Sequence, residues 1–293
     1  MKIFITGGRG FIGRNLCEQL GSRHTVMAPS SEELDLLDCV KVRDYLTEHK
    51  FDAVIHAATW NASRNSRKDL SKVLEHNLLM FFNIARNAPL FGKMINFGSG
   101  AEYSRPHWVP LMKEEYFDSS VPADGYGFSK YVMRKYLEGA LSIVHLVLFG
   151  VYGKYEDWEI RFISNACCKA LHDLPITMKQ NVYFDYLFID DLVKIIAWFL
   201  EHDPRHRVYN VCTGEAVDLE TCARIVCQVS GKELPIRAVL TGLGREYSGD
   251  NSRLLGELGA FPFSPAEESI KCLFSWYESH RDSIDRNKLL VDK

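Results

Sequence analysis

Tyr126 and Lys130 stand four residues apart, with Gly127, Phe128 and Ser129 between them. On a helix that spacing puts both side chains on one face. An ammonium beside a phenol favours the phenolate, so the pair predicts a tyrosine of lowered pKa that gives and takes a proton near neutrality. The same spacing recurs at Tyr131 and Lys135, and helical Tyr–Lys pairs are commonly plain surface neighbours. Position separates the two: Tyr126 follows the loop Val-Pro-Ala-Asp-Gly at 121–125, a helix entrance, whereas Tyr131 lies a turn further in. Upstream, Ser99 closes the apolar run 94–98. A hydroxyl at the carboxyl edge of a strand can hydrogen-bond a carbonyl oxygen that is gaining negative charge, although a Ser after Gly also suits a simple turn. Ser99, Tyr126 and Lys130 are the candidate catalytic residues.

Gly7, Gly10 and Gly13 are spaced by three, between the apolar run 3–6 and a helical stretch at 11–20. A strand, a glycine turn and a helix in that order let backbone N–H groups approach a pyrophosphate, so a dinucleotide is expected there rather than a turn kept only for packing. An acidic residue ending the second strand would hold the ribose hydroxyl of NAD. Here the strand ends in Met27-Ala28-Pro29-Ser30-Ser31, and Arg9 in the glycine turn is placed for a phosphate. Glu32 and Glu33 follow soon after, and an Arg in a turn is as commonly just solvated. The balance favours NADP(H), with NAD(H) as the alternative.

These residues need a scaffold, and the chain supplies its signals in order. Short apolar runs at 3–6, 25–28, 53–57, 94–97 and 143–149 alternate with helical patterns at 11–20, 40–49, 70–87 and 127–141. Strand and helix in alternation predict an α/β fold: a Rossmann-type doubly wound parallel sheet with helices on both faces. Later helical stretches at 161–171, 189–200 and 219–230 are separated by short runs punctuated by Gly and Pro, which predicts a smaller C-terminal substrate lobe. The expected division is 1–150 with 186–213 for the dinucleotide-binding domain, 151–185 with 214–280 for the substrate lobe, and a polar tail at 281–293 that frays.

Composition narrows the function classes. The 293 residues are 46% hydrophobic and 25% charged, with 35 Lys and Arg against 38 Asp and Glu. No basic block stands out, so nucleic acid is not an expected partner. The eight cysteines form no CxxC pair and no zinc-like spacing with His, so no metal is expected and reduced thiols are. No apolar stretch is long enough for a signal peptide or membrane span, which places the expected site of action in the cytoplasm, away from any membrane.

Together the motifs resemble those of the extended short-chain dehydrogenase/reductase family, the sugar-nucleotide epimerases, dehydratases and reductases. The matching segments are Thr6-Gly7-Gly8-Arg9-Gly10-Phe11-Ile12-Gly13, Leu34-Asp35-Leu36, His56-Ala57-Ala58, Asn77, Ser99 with Tyr103, Tyr126-Gly127-Phe128-Ser129-Lys130, and Phe184-Asp185-Tyr186-Leu187-Phe188-Ile189-Asp190-Asp191. The resemblance implies cofactor contacts from Gly7, Arg9, Gly10, Phe11, Ile12, Gly13, Ser30, Ser31, Asp35, Leu36, His56, Ala57, Ala58, Asn77, Tyr126 and Lys130. It also implies a nucleotide-diphosphate sugar as substrate and a homodimer built on two helices per subunit, with 78–82 and 131–141 as the candidate helices.

Within the family the likeness runs to nucleotide-sugar 4-keto reductases of the GDP-fucose synthase kind, through Gly8-Arg9-Gly10 and Glu33-Leu34-Asp35-Leu36-Leu37-Asp38. Members that also epimerise carry a Cys two residues after the Ser and a His in the substrate lobe. Here Ala101 and Arg161 fall at those places. Dehydratases carry an Asp-Glu pair where this chain has Gly100-Ala101. The implied function is NADPH-dependent reduction of the 4-keto group of a nucleotide-linked 4-keto-6-deoxy sugar, in deoxysugar or surface polysaccharide biosynthesis. The alternatives are an NAD-dependent 4-epimerase and a catalytically silent NADP-binding regulatory subunit. Candidate substrate residues are Ser99, Gly100, Arg161, Asn251 and Arg253, the last two because an amide and a guanidinium in one loop suit a diphosphate.

Overall fold

The first strand, β1 (Lys2–Thr6), buries side chains on both of its faces: Ile3 and Ile5 enter one hydrophobic cluster and Phe4 the other. A strand covered on both faces belongs inside a helix–sheet–helix sandwich. The computed structural model, which describes residues 1–60, 65, 68–139 and 142–290, shows that arrangement. After β1 the chain runs through α1 (Phe11–Leu20), β2 (Thr25–Met27), α2 (Cys39–His49), β3 (Ala53–His56), α3 (Val73–Ala85), β4 (Lys93–Ser99), α4 (Gly125–Tyr136) and β5 (Ile143–Leu148). The second half adds β6 (Gly150–Tyr152), α5 (Phe162–Leu171), β7 (Ile176–Asn181), β8 (Tyr183–Phe188), α6 (Ile189–Glu201), β9 (Val208–Val211), β10 (Ala216–Asp218), α7 (Leu219–Ser230), β11 (Ile236–Leu243), α8 (Ser252–Leu258), α9 (Ala266–Ser279) and α10 (Arg286–Leu289).

Six strands form the central sheet in the order β2-β1-β3-β4-β5-β9, every pair parallel. From β1 the chain first steps outward to β2 and then returns to lay β3 on the other side. That reversal opens a crevice at the carboxyl ends of β1 and β3, the place where doubly wound sheets take their ligands. Leu16 and Leu20 of α1 pack with α6 on one face; Val42 and Leu46 of α2, Phe81 and Ile84 of α3 and Met133 of α4 pack on the other. Local chemistry starts these helices: Asp38 accepts from the Val40 and Lys41 N–H groups, and Asp124 from Gly127 N at 2.9 Å. Asp124 thereby fixes the first turn of α4, the turn that carries Tyr126.

The expected Rossmann-type sheet is present, with strand ends shifted by a residue or two. The expected helix at 127–141 begins two residues earlier and its α-helical part ends at Tyr136; residues 140–141 lie outside the described set. Beyond the central sheet, β10-β8-β6 form a second sheet and β11-β7 a third. None of these strands is legible by pattern, since β6 and β10 have three residues each and Val239 in β11 is 71% exposed. Nor was α9 anticipated, although Ile270, Leu273, Phe274 and Tyr277 form its buried stripe. The tail corrects another expectation: Ile284 and Leu289 are buried in the main core and 286–289 is helical, so the chain is tied down here rather than frayed. Residues 291–293 lie outside the described set. All eight cysteines are free thiols. Among the described residues no helix is long and apolar enough to cross a membrane.

Candidate active site

The glycine turn links β1 to α1. Gly7 has φ +69°, and a Cβ there would sit 2.8 Å from the Ala58 backbone, so both the dihedral and the neighbour require glycine. At Gly13 a Cβ would reach 2.2 Å from the Gly7 carbonyl, which is how α1 comes so close to the turn. Gly10 differs: a Cβ there would meet only the Gly7 oxygen, at 3.2 Å. That is still a tight approach to a backbone oxygen already held by the Gly10 N–H, so the turn itself favours glycine there. No side chain caps α1 and its first turn has no acidic residue, leaving its N–H groups and the positive end of its dipole to an anion.

Around this mouth the expected cofactor residues gather. Thr6 Oγ1 lies 3.0 Å from His56 Nδ1 and accepts from Ala58 N at 3.1 Å, locking the ends of β1 and β3 together. Burial holds the His56 imidazole down at about 3, so the ring is neutral, and Lys130 nearby adds to the effect. Asn77 Oδ1 accepts from Trp60 N and Thr59 Oγ1, pinning the segment after β3. His56 Nε2 and Asn77 Nδ2 are buried without a hydrogen-bond partner among the described residues. Two orphaned polar atoms beside a glycine cradle fit a nicotinamide dinucleotide. At the end of β2, Ser30 is buried and Ser31 exposed; the Glu33 carboxylate accepts from Ser30 N at 2.7 Å, with the exposed Arg9 close enough to lower its pKa further. Asp35 accepts from Leu37 N, and the Leu36 carbonyl accepts from Asn83 of α3.

Ser99, Tyr126 and Lys130 come together at the carboxyl end of β4. The Ser99 hydroxyl accepts from Ala101 N at 3.2 Å and lies near the half-buried Tyr126, whose pKa it draws down. Lys130 Nζ donates to the Phe97 carbonyl at 2.6 Å and lies 5.9 Å from the Tyr126 ring centroid. Burial depresses the Lys130 ammonium to about 8, against the pull of Glu102. The expected lowering of Tyr126 by Lys130 is not found. Desolvation pushes the phenol above its ordinary value, opposed by Ser99, Arg161 and Arg105. Tyr126 is thus a protonated phenol at neutral pH, and the lysine's bond is to main chain. Asp118 settles the competing pair: it takes both the Tyr131 hydroxyl and Lys135 Nζ, which makes that spacing a structural brace.

Sequence reasoning missed Tyr247. Its hydroxyl lies near Ser99, which draws its pKa down against burial, and its ring sits tilted 4.2 Å from Trp108, whose Nε1 donates to the Gly100 carbonyl. A Cβ on Gly100 would lie 2.6 Å from the Tyr247 oxygen, so this glycine makes room for a second phenol. Tyr247 reaches the site because its main chain is strapped to β8 through Tyr183 and Asp185, a contact no local spacing announces. Arg105 was missed as well, and it flanks Tyr126 together with Arg161 at the start of α5.

Asn251 and Arg253, expected at a substrate diphosphate, have partners within the chain. Asn251 Nδ2 donates to the Cys212 and Thr213 carbonyls, while Arg253 pairs with Glu115 and donates to the Val208 carbonyl. These donors hold the loop to β9.

Residues 3–212 match the NAD dependent epimerase/dehydratase family. The chain belongs to that family. Among its curated relatives is the ADP-L-glycero-D-manno-heptose-6-epimerase of Cupriavidus pinatubonensis, 28% identical over 94% of this chain and 98% of the relative. The GDP-6-deoxy-D-mannose reductase of Pseudomonas aeruginosa is 24% identical over 95% of this chain and 97% of the relative. In fold, the chain superposes on Bordetella bronchiseptica WbmG, solved with NAD and UDP, with a TM-score of 0.81 at 22% identity, covering 95% of this chain and 94% of that one. Family membership supports a nicotinamide cofactor for the chain.

Proposed function

We propose that the protein is an NADP(H)-dependent reductase of the 4-keto group of a nucleotide-linked 4-keto-6-deoxy sugar. The observation that carries this reading is the convergence of Ser99 at the end of β4 with a Tyr126 phenol that burial keeps protonated. Reduction of a ketone needs a proton donor at the oxygen, and such a phenol is one. Ser99 polarises the carbonyl oxygen, Tyr126 protonates it, and Lys130 holds the Phe97 main chain and contributes positive charge. The nicotinamide, when bound, supplies hydride. The cradle of Gly7, Arg9, Gly10, Phe11, Ile12 and Gly13, with Ser30, Ser31, Asp35, Leu36, His56, Ala57, Ala58 and Asn77, would hold it.

Two further observations support the reductase over its relatives' other chemistries. Ala101 is buried two residues after Ser99, and the Glu102 carboxylate is bound by Arg134 and His145. Neither offers a free acid or base for dehydration or for moving a carbon-bound proton. Arg105 and Arg161 beside Tyr126 suit a doubly charged diphosphate. The test mixes the protein with NADPH and GDP-, CDP- and dTDP-4-keto-6-deoxy sugars. Loss of reduced-nicotinamide absorbance with one of them is the expected result; none with any donor, despite saturable NADPH binding, marks a silent subunit.

One observation favours the second reading, a 4-epimerase using NAD. Glu33 holds a carboxylate at the end of β2, where it would repel a 2′-phosphate. Arg9→Ala separates the two. We expect it to weaken NADPH binding about tenfold or more while NADH changes less than about twofold, as befits loss of one phosphate-pairing guanidinium. Equal, small effects on both cofactors favour the epimerase.

A further inference from the structure

Beneath the strand end that carries Ser99 lies a buried polar cluster that the reaction as described does not use. Glu102 is fully buried, and its carboxylate takes three donors: Arg134 Nη1 at 2.9 Å, His145 Nε2 at 3.0 Å and Ser99 N at 3.3 Å. Asn96 Nδ2 donates to His145 Nδ1 at 2.8 Å, which leaves the ring proton on Nε2, aimed at Glu102. Burial also lowers the His145 pKa, so this ring is neutral. Arg134 goes on to donate to the Tyr103 hydroxyl and the Glu114 carbonyl and lies 3.9 Å over the Phe117 ring. Gly98 is the opening that admits the pair: a Cβ there would meet His145 Nε2 at 2.2 Å and Glu102 Oε2 at 2.7 Å.

The cluster grips the catalytic strand end jointly with Lys130. Lys130 and Arg134 are one turn apart on α4, so both project from one face toward β4. Lys130 holds the Phe97 carbonyl, Glu102 holds the Ser99 N–H, and Arg134 ties Glu102 back to the same helix. We propose that Glu102 is a positioning residue: its carboxylate fixes the Ser99 main chain and supplies the negative charge that stabilises the Lys130 ammonium. Burial opposes ionisation of Glu102, yet the neighbouring His145 and Arg134 outweigh it and hold the carboxyl below its ordinary range. Tyr126 of α4, neutral His56 of β3 and neutral His145 of β5 also lie near Lys130. Among these described groups Glu102 carries the negative charge that opposes the desolvation of the lysine.

The test rests on Ser99, Tyr126 and Lys130 being the catalytic set but needs no substrate, so failure of the reductase reading leaves it standing. Full-length protein carrying ¹³Cε-lysine is titrated by NMR, with the Lys130 resonance assigned by its loss in Lys130→Arg. In Glu102→Asp, which keeps the charge, Lys130 should titrate within about 0.3 pH units of the native protein; in Glu102→Gln it should titrate about one pH unit lower or more. Glu102→Gln leaves Arg134 buried without its counter-ion, so the double variant Glu102→Gln/Arg134→Gln, which removes both charges, is measured beside it. An unchanged Lys130 titration in either folded variant that lacks the carboxylate overturns the proposal. A merely structural Glu102 would lower thermal stability in all three variants and leave that titration where it was.

Discussion

Tyr126→Phe should lose turnover by about 10²–10⁴-fold, the usual contribution of a positioned general acid, while NADPH affinity stays within about twofold. The substitution removes one hydroxyl and little volume. Ser99 keeps its bond to Ala101 N. Stopped-flow single turnovers read the chemical step, and fluorescence titration of NADPH reads the binding. Turnover near the native rate would remove Tyr126 from the mechanism and pass the proton donor's role to Tyr247.

Lys130 should impose an alkaline limb on kcat/KM. Its ammonium is depressed from 10.5 to about 8, chiefly by burial. Below that pH the lysine is charged and the rate constant flat; above it the charged fraction falls tenfold per pH unit, and kcat/KM with it. Lys130→Arg should carry the limb out of the accessible range, because a guanidinium keeps its proton. Lys130→Met should cost turnover on the order of 10²-fold or more at pH 7, losing both the charge and the bond to the Phe97 carbonyl. The same shift predicts a stability signature. A lysine whose pKa is lower in the folded state binds fewer protons there than in the unfolded chain between about 8 and 10.5. Stability therefore rises with pH across that window relative to Lys130→Met. Urea unfolding of both proteins at pH 7 and pH 10 reads the difference, and a constant difference would contradict the shift.

The parts of the site legible in the sequence are those set by short-range geometry. Gly7, Gly10 and Gly13 announce a turn because backbone conformation and close approach are local demands. Tyr126 and Lys130 share a face because a helix repeats every 3.6 residues. Ser99 could be placed at a strand end because β4 is an apolar run. The parts that were not legible depend on which distant partner a side chain meets. Tyr131 and Lys135 have the same spacing as the catalytic pair and differ only in meeting Asp118. Asn251 and Arg253 suit a phosphate by residue type, and their bonds to the Cys212, Thr213 and Val208 carbonyls show only in the fold. Tyr247 enters through strand pairing to β8, and Glu102 faces inward because Arg134 and His145 converge from α4 and β5. The short strands β6 and β10 and the exposed β11 lack the burial pattern by which strands are read.

The proposed reaction is tested most directly by where the hydride goes. The protein is given NADPH deuterated on the transferable face and a 4-keto-6-deoxy nucleotide sugar, and the product is examined by NMR. The account predicts one deuterium on carbon 4, with a stoichiometric amount of oxidised cofactor released. Unconsumed 4-keto sugar and NADPH would contradict it, and inversion of a 4-hydroxy nucleotide sugar at carbon 4 with no net oxidation of cofactor would establish the epimerase.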